Sequence, residues 1–363
     1  MTQTITPTTS GKSRPKDTSK AGNHTNDRLR RVLSVSGMLP VLVLLIIVGS
    51  ILSPAFLTAT NFSNVLRLGA VIGLLAVGQT LVVLSGRGGI DLSVAQVASA
   101  SAVVGSLYQA WGLPAVLVAA LLTGVFFGVV NGIGVSFSNL QPFIVTLATM
   151  TMAKGVAFEL TNASPLPVTA PGLSWFSTGL VLGIPVPIVI LAVVVIVGQL
   201  GLSGTTFGRS LYAVGGNEEA AYGAGINVRG YRIGVYVISS VLAALAGVLG
   251  MAQLNTADPN FASGYELSAI AAVVVGGTLL AGGRGNIFGT LIGVVIMALV
   301  SNLLNLLNVN QWTNLMVTGL IIVIVVSVNR PADGDTRRQR VLKSAPLFGL
   351  LLLGAVTLYG VLK

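Results

Sequence analysis

Few residue types in this sequence could perform bond chemistry. Among 363 residues there is no cysteine and one histidine, His24. Disulfides, thiolate metal sites and His-rich metal sites have no ligands to work with. A Ser-His-Asp relay needs an imidazole in a folded site, and His24 lies in a polar N-terminal tail. Gly11-Lys12-Ser13 has the ending of a phosphate-binding loop, but the position five before Gly11 is Thr6 instead of glycine. The sequence therefore predicts no catalytic residues, no metal and no cofactor. What remains suits recognition. There is a short acidic stretch, Asn217-Glu218-Glu219, and isolated charges at Asp91, Lys154, Glu159, Asp258 and Glu266. Neutral polar groups, Gln79, Thr80, Asn131, Asn302 and Asn305, lie inside apolar runs.

The elements that must position these groups follow from composition. The chain is 53% hydrophobic and 8% charged, with a mean hydropathy of +0.88. Soluble domains carry roughly 25% charged residues, so a soluble monomer and a disordered chain are both excluded. Apolar runs cover 38–56, 66–85, 92–109, 114–136, 142–160, 178–200, 233–254, 265–281, 286–307, 312–329 and 345–361. Each is near the length that crosses a bilayer. Long unalternating runs favour helices over a barrel, and the 45 glycines suit close helix packing. The expected fold is an all-α polytopic transmembrane helix bundle with ten core crossings. A flexible basic tail, 1–37, precedes the membrane domain, 38–330. A basic linker, 331–344, leads to an additional C-terminal hydrophobic helix, 345–363, which spans or lies on the surface.

Charge sets the expected orientation. Seven basic residues fall within 1–31 and five within 330–343. With the tail in the cytoplasm, Arg87, Arg209, Arg229, Arg232 and Arg284 fall in inner loops, while the outer loops hold Asp258 and no basic residue. That follows the positive-inside rule. The net charge of +10 thus reports topology, and a nucleic-acid partner is not expected. Two stretches, 76–81 and 274–279, are alike, and each precedes a Gly-Arg-Gly turn, Gly86-Arg87-Gly88 and Gly283-Arg284-Gly285.

The longest inner loop, 201–232, holds the acidic stretch. Gly215-Gly216 reads as a flexible lead-in and Asn217 as an N-cap. Glu218 and Glu219 suit a first helical turn. Ala220 and Ala221 continue it, and Gly223 and Gly225 end it. Locally this is either an ordinary connector or a short helix that docks on a soluble partner.

The loop resembles the one by which permeases of ABC importers dock on their ATPase subunit. Further stretches are similar to the ribose-type sugar permease family: Gly88-Gly89-Ile90-Asp91-Leu92-Ser93-Val94, residues 142–150, Thr161-Asn162-Ala163-Ser164-Pro165, Gly208-Arg209, Gly215-Gly216-Asn217-Glu218, Gly264-Tyr265-Glu266-Leu267, Gly276-Gly277-Thr278 and Gly282-Gly283. The resemblance runs from about residue 38 to 330. It implies a membrane-spanning subunit that works as a pair, most simply a homodimer, in the lipid of the cytoplasmic membrane. A cytoplasmic ABC ATPase would use ATP and magnesium, and an extracytoplasmic binding protein would deliver a ribose-like sugar. The chain itself would be no enzyme. Related permeases for nucleosides or branched-chain amino acids are the alternative, and an ion-coupled carrier a more distant one. Arg87 stands where the family usually has a small or neutral residue, so the resemblance implies no role for it.

The resemblance implies that Gly215, Gly216, Asn217, Glu218, Glu219, Ala220, Ala221 and Gly225 form the ATPase-coupling loop. Asp91 is either an inner-turn cap for the third crossing or part of a gate. Asp258 and Glu266 are either helix-end charges or an outer mouth. Gln79, Thr80, Asn131, Asn302 and Asn305 either line a sugar path or bond helices together. Lys154 and Glu159 are about 140° apart on one helix and are not expected to pair.

Overall fold

The computed structural model describes residues 39–138 and 140–329; the tail, the basic linker and the run 345–361 lie outside the described residues. The architecture is an all-α polytopic bundle. Its helices are α1 (Leu39–Leu52), α2 (Ala59–Leu84), α3 (Val94–Leu107), α4 (Leu113–Phe137), α5 (Pro142–Thr161), α6 (Trp175–Thr178), α7 (Val186–Gly204), α8 (Thr206–Gly216), α9 (Glu218–Gly223), α10 (Val228–Leu254), α11 (Tyr265–Val275), α12 (Ile287–Leu306) and α13 (Gln311–Asn329). Six of them, α2, α4, α5, α7, α10 and α12, are long and apolar enough to cross a membrane. Shorter apolar helices fill the other four predicted positions.

Helix ends follow local chemistry. Thr58 caps α2 by accepting the Asn61 N–H at 3.3 Å, and Asn227 caps α10 by accepting the Gly230 N–H at 3.0 Å. Pro142 opens α5 at a position where a missing N–H is harmless. Asn162 and Asn255 close α5 and α10 in the left-handed region, at φ 49° and 54°.

The core is built on small residues. A side chain added at Gly124, Gly128 or Gly132 of α4 would stand 2.6, 2.6 and 2.8 Å from Ser240 O, Val237 Cα and Ile233 Cα of α10. One glycine per turn thus lets two antiparallel helices touch along their backbones. Gly78 of α2 meets Ser239 Cα of α10 in the same way, at 2.8 Å. Large apolar side chains such as Leu44, Leu122, Phe126 and Val197 face outward instead, as lipid exposure allows.

Two predicted crossings need correction. The run 178–200 begins as a hairpin in which β2 (Leu180–Val181) pairs with β3 (Ile184–Pro185), and the helix starts only at Val186. Leu182 and Gly183 make its turn at φ 52° and 80°. Hydropathy does not see a two-residue turn. The run 265–281 is helical only as far as Val275. Gly277 turns left-handed at φ 84°, and the Thr278 N–H bonds back to Val273 O at 3.2 Å. The remaining helix is about 16 Å long, near half a bilayer core. Apolar Leu279 and Leu280 belong to a non-helical return to α12. The segment 85–93 before α3 is likewise non-helical yet largely buried. Such backbone is stable at depth when protein covers it. Antiparallel pairing of β1 (Leu166–Pro167) with β4 (Thr256–Ala257) ties together the loops on the side opposite α8 and α9.

Candidate functional site

The acidic stretch forms a helix, α9, on the face that carries Arg87, Arg209, Arg229 and Arg284. Asn217 accepts the Ala220 N–H at 3.0 Å, which satisfies one of the free donors of the first turn. Glu218 and Glu219 occupy that turn, and Gly225, at φ 81°, turns the chain back toward α10. Ala221 is buried and packs with Val214, Val228 and Ile226, while Glu219, Ala220 and Tyr222 are exposed. Among the described residues the outer side of α9 is exposed, and the inner side is seated on its own chain.

Glu218 is the anchor. Its two carboxylate oxygens accept from Arg232 at 2.9 and 3.3 Å, a forked pair with Arg232 2% exposed and the Glu218 side chain 40% exposed. Arg232, expected in an inner loop, stands instead in the first turns of α10 and is buried. Nothing local in the sequence links residues 14 apart, though an arginine entering an apolar helix is a signal in its own right. Burial works to raise the Glu218 carboxyl. The hydrogen bonds and charge of Arg232, helped by the charge of Arg87, outweigh it and hold the carboxyl below its ordinary 4.5. A depressed carboxylate contributes stability that is complete above the unfolded value and lost as pH falls through the folded one. Seating of α9 is therefore expected to be constant above pH 4.5 and to loosen only at more acid pH. Amide hydrogen exchange of 217–232, corrected for intrinsic rate, checks this.

The flexible lead-in expected at Gly215-Gly216 is not there. Both residues close α8, and Gly215 is wedged among backbones. A side chain at Gly86 would stand 2.8 Å from Gly215 Cα, and one at Gly283 would stand 2.7 Å from Gly216 N. Gly282 sits equally hard against Gly86. The Gly283 N–H bonds to Leu84 O at 3.2 Å, and the Tyr212 hydroxyl bonds to Gly285 O at 2.7 Å. The two Gly-Arg-Gly turns therefore meet each other and the end of α8 at one junction. The likeness of 76–81 to 274–279 goes no further than those turns, since the first stretch is helical throughout and the second leaves its helix at Gly276.

The predicted polar residues separate into two groups. Gln79, Asn131 and Asp91 come together, all fully buried. Asp91 accepts the Ser93 N–H at 2.9 Å, the Ser93 hydroxyl at 2.6 Å and the Ser239 hydroxyl at 3.3 Å. The Gln79 carbonyl accepts the Asp91 N–H at 3.3 Å, and Asn131 donates to Ser93 Oγ at 2.8 Å. Asp91 thus sits just ahead of α3 and holds Ser93, the residue at the helix N-cap position, by its N–H and hydroxyl from a fully buried place inside the bundle. Ser93 and Ser239 gave no signal in the sequence, because isolated serines are common in packed membrane helices.

The second group bonds helices to one another. Thr80 pairs with Thr290 at 2.8 Å. Asn302 and Asn61 exchange two amide bonds, at 2.7 and 2.9 Å. Asn302→Leu is expected to destabilise the bundle by about 0.6–1.7 kcal/mol, and Asn61→Leu on top of it to cost only the bond that Asn61 Nδ2 also donates to Phe56 O at 2.8 Å. Thermal inactivation of the single and double variants checks this. Asn305 is exposed. On the opposite side, Asp258 closes a turn on the Asn260 N–H at 2.8 Å, and Glu266 accepts the Gly264 N–H at 3.1 Å. Lys154 lies over Phe158, 5.5 Å from the ring centre, and does not pair with Glu159.

Residues 61–326 match the family described as the branched-chain amino acid transport system / permease component. The ribose import permease protein of Escherichia coli (strain K12) is 42% identical over 307 residues, 82% of this chain and 94% of that one. The ribose import permease protein of Bacillus subtilis (strain 168) is 42% identical over 296 residues, 80% and 90%. The D-allose transport system permease protein of Escherichia coli (strain K12) is 33% identical over 291 residues, 79% and 89%. No solved structure matches the chain. A family match that runs from α2 to α13, with ribose permease relatives 42% identical over about four fifths of the chain, places the chain in the branched-chain amino acid transport system / permease component family, among its ribose-type members.

Proposed function

We propose that this chain is the membrane-spanning subunit of an ATP-driven importer for a ribose-like monosaccharide. It sits in the cytoplasmic membrane with its N-terminus and α9 on the cytoplasmic side. Two copies form the path, an extracytoplasmic binding protein delivers the sugar, and a separate ATPase subunit supplies ATP hydrolysis and its magnesium. The observation that carries this reading is the seating of α9. A short helix, exposed on one side, is fixed on the other to α10 through Glu218–Arg232. Through Gly215, at the base of α9, it also bears on the turn that opens the largely buried segment 85–93 and on Gly283 opposite. A partner that moves α9 moves the interior with it.

Among the described residues, Asp91, a wholly buried carboxylate, is what speaks for an ion-coupled carrier. Its three donors, from Ser93 and Ser239, account for its burial without an ion. The test is uptake into vesicles holding the chain with its ATPase and binding protein. Uptake of ribose that requires ATP and the binding protein is expected. Uptake that ignores ATP and follows an ion gradient would defeat the reading, and preference for a nucleoside or a branched-chain amino acid would redirect it.

A further inference from the structure

We propose that the segment Gly86–Ser93 is a lever between the docking helix and the buried polar centre, with Arg87 as its handle and Asp91 as its held end. The inference rests on the permease reading.

The handle stands on three observations. Gly86, Arg87 and Gly88 are successive left-handed residues at φ 77°, 57° and 66°. Glycine adopts that conformation freely; arginine does not, and an arginine held there signals a demand on where its side chain goes. The Arg87 side chain is exposed and lines a cleft of about 750 Å³ together with Glu218, Glu219, Tyr222, Arg229 and Arg232. Its charge acts on the Glu218 carboxylate. Glu218 bonds to the buried Arg232 of α10, and Arg87 faces it from the other side of the cleft, acting through charge rather than contact. Beside this charge link, Gly86 is in backbone contact with Gly215 at the base of α9. A displacement of α9 reaches the turn by push through glycine and by pull through Arg87.

The held end is five residues from Gly86. Asp91 is tied to α10 by Ser239 and to α2 through Gln79, and the neighbouring Ile90 O accepts the Thr146 hydroxyl of α5 at 3.2 Å. Around this point Gln79 Nε2, Asn131 Oδ1 and the Tyr236 hydroxyl are buried without a hydrogen-bond partner. Native structures seldom leave such groups unpaired. They are spare capacity that a second arrangement of Gly86–Ser93 would use, which is what a two-state element needs. Docking-helix motion would then exchange one set of hydrogen bonds in the polar centre for another.

The test is the number of sugar molecules imported per ATP hydrolysed, measured in vesicles holding the whole complex. Arg87→Asn removes the charge and suits the left-handed backbone, so it avoids a folding defect from strain. It is expected to lower the ratio by about fivefold or more. Arg87→Lys restores a charge and is expected to stay within about twofold of the parent. Glu218→Gln combined with Arg87→Asn is expected to fall no further than the worse single variant, because Glu218→Gln already removes the carboxylate on which Arg87 acts, along with its pair to Arg232. Two results overturn the lever: an Arg87→Asn ratio within about twofold of the parent, or equal losses in Asn and Lys. Failure of the parent chain to show ATP-dependent uptake would overturn the permease reading and the lever with it. A working parent with an unmoved Arg87→Asn overturns the lever alone.

Discussion

Glu218→Lys is expected to abolish coupled sugar uptake, by about tenfold at the least, while the protein still inserts into the membrane. The substitution strands Arg232, which is 2% exposed, and sets an ammonium against its guanidinium. Removing one partner of a buried pair costs about 3–5 kcal/mol. Glu218 is 40% exposed, so water screens part of this, and about 2–3 kcal/mol is the reasonable figure. The damage stays local because α10 is held along its length by α4 and α2, glycine against backbone. Its site is the inner seat of α9, so the docking side is presented from a helix no longer fixed to α10. Binding-protein-stimulated ATPase activity should fall with uptake. Unchanged stimulated ATPase and uptake in Glu218→Lys would sink the assignment of α9 as the coupling element. A control separates the lost pair from a misfolded loop. Replacing Glu218 and Arg232 together by Met leaves no buried charge unpaired. It should seat α9 better than Glu218→Lys, judged by protease resistance of 217–232.

What the sequence made legible was what apolar length, capping chemistry and charge asymmetry can encode. Crossings such as 114–136 and 142–160 match α4 and α5 within a residue, because Pro114 and Pro142 mark their starts and the runs are unbroken. Asn217 could be placed as a cap because a cap reaches only three residues ahead. The failures share one cause. Hydropathy is a one-residue property, whereas the ends of α7 and α11 are set by backbone turns at Leu182-Gly183 and Gly277. Partners far apart in sequence were equally invisible: Glu218 with Arg232, Asp91 with Ser239, Asn61 with Asn302. Gln79 and Asn131 stand out in the sequence as polar groups in apolar runs, but only packing puts them beside Asp91 and Ser93. Glycine abundance encodes close packing in bulk. Which glycines touch is set by partners distant in sequence, and the pair Gly215-Gly216, which reads as a flexible lead-in, instead closes α8 with Gly215 against backbone.

That reversal yields the sharpest contrast between neighbours. Gly215→Ala is expected to be severely damaging and Gly216→Ala nearly silent, although a flexible lead-in would make them equivalent. A methyl group at Gly215 would overlap the carbonyl oxygen of Leu84 and stand 2.7 Å from Gly283 N. Both obstacles are backbone, so no side chain can swing aside. Relief must come from parting the Gly283 N–H···O=C Leu84 bond of 3.2 Å or from lifting the end of α8. Overpacking that displaces a side chain costs about 1–3 kcal/mol; here a backbone hydrogen bond is lost as well, worth about 1 kcal/mol more. At Gly216 an added methyl meets nothing within 4 Å, and its backbone is not left-handed. Alanine there even favours the last turn of α8. Uptake, stimulated ATPase and thermal inactivation of the two variants should diverge, with Gly215→Ala reduced by about tenfold or more in uptake and Gly216→Ala near the parent. Equal tolerance of both would mean that the junction of α8 with the two Gly-Arg-Gly turns yields easily. A junction that yields cannot carry force from α9 to the interior, so the whole route from docking helix to polar centre stands or falls on this pair.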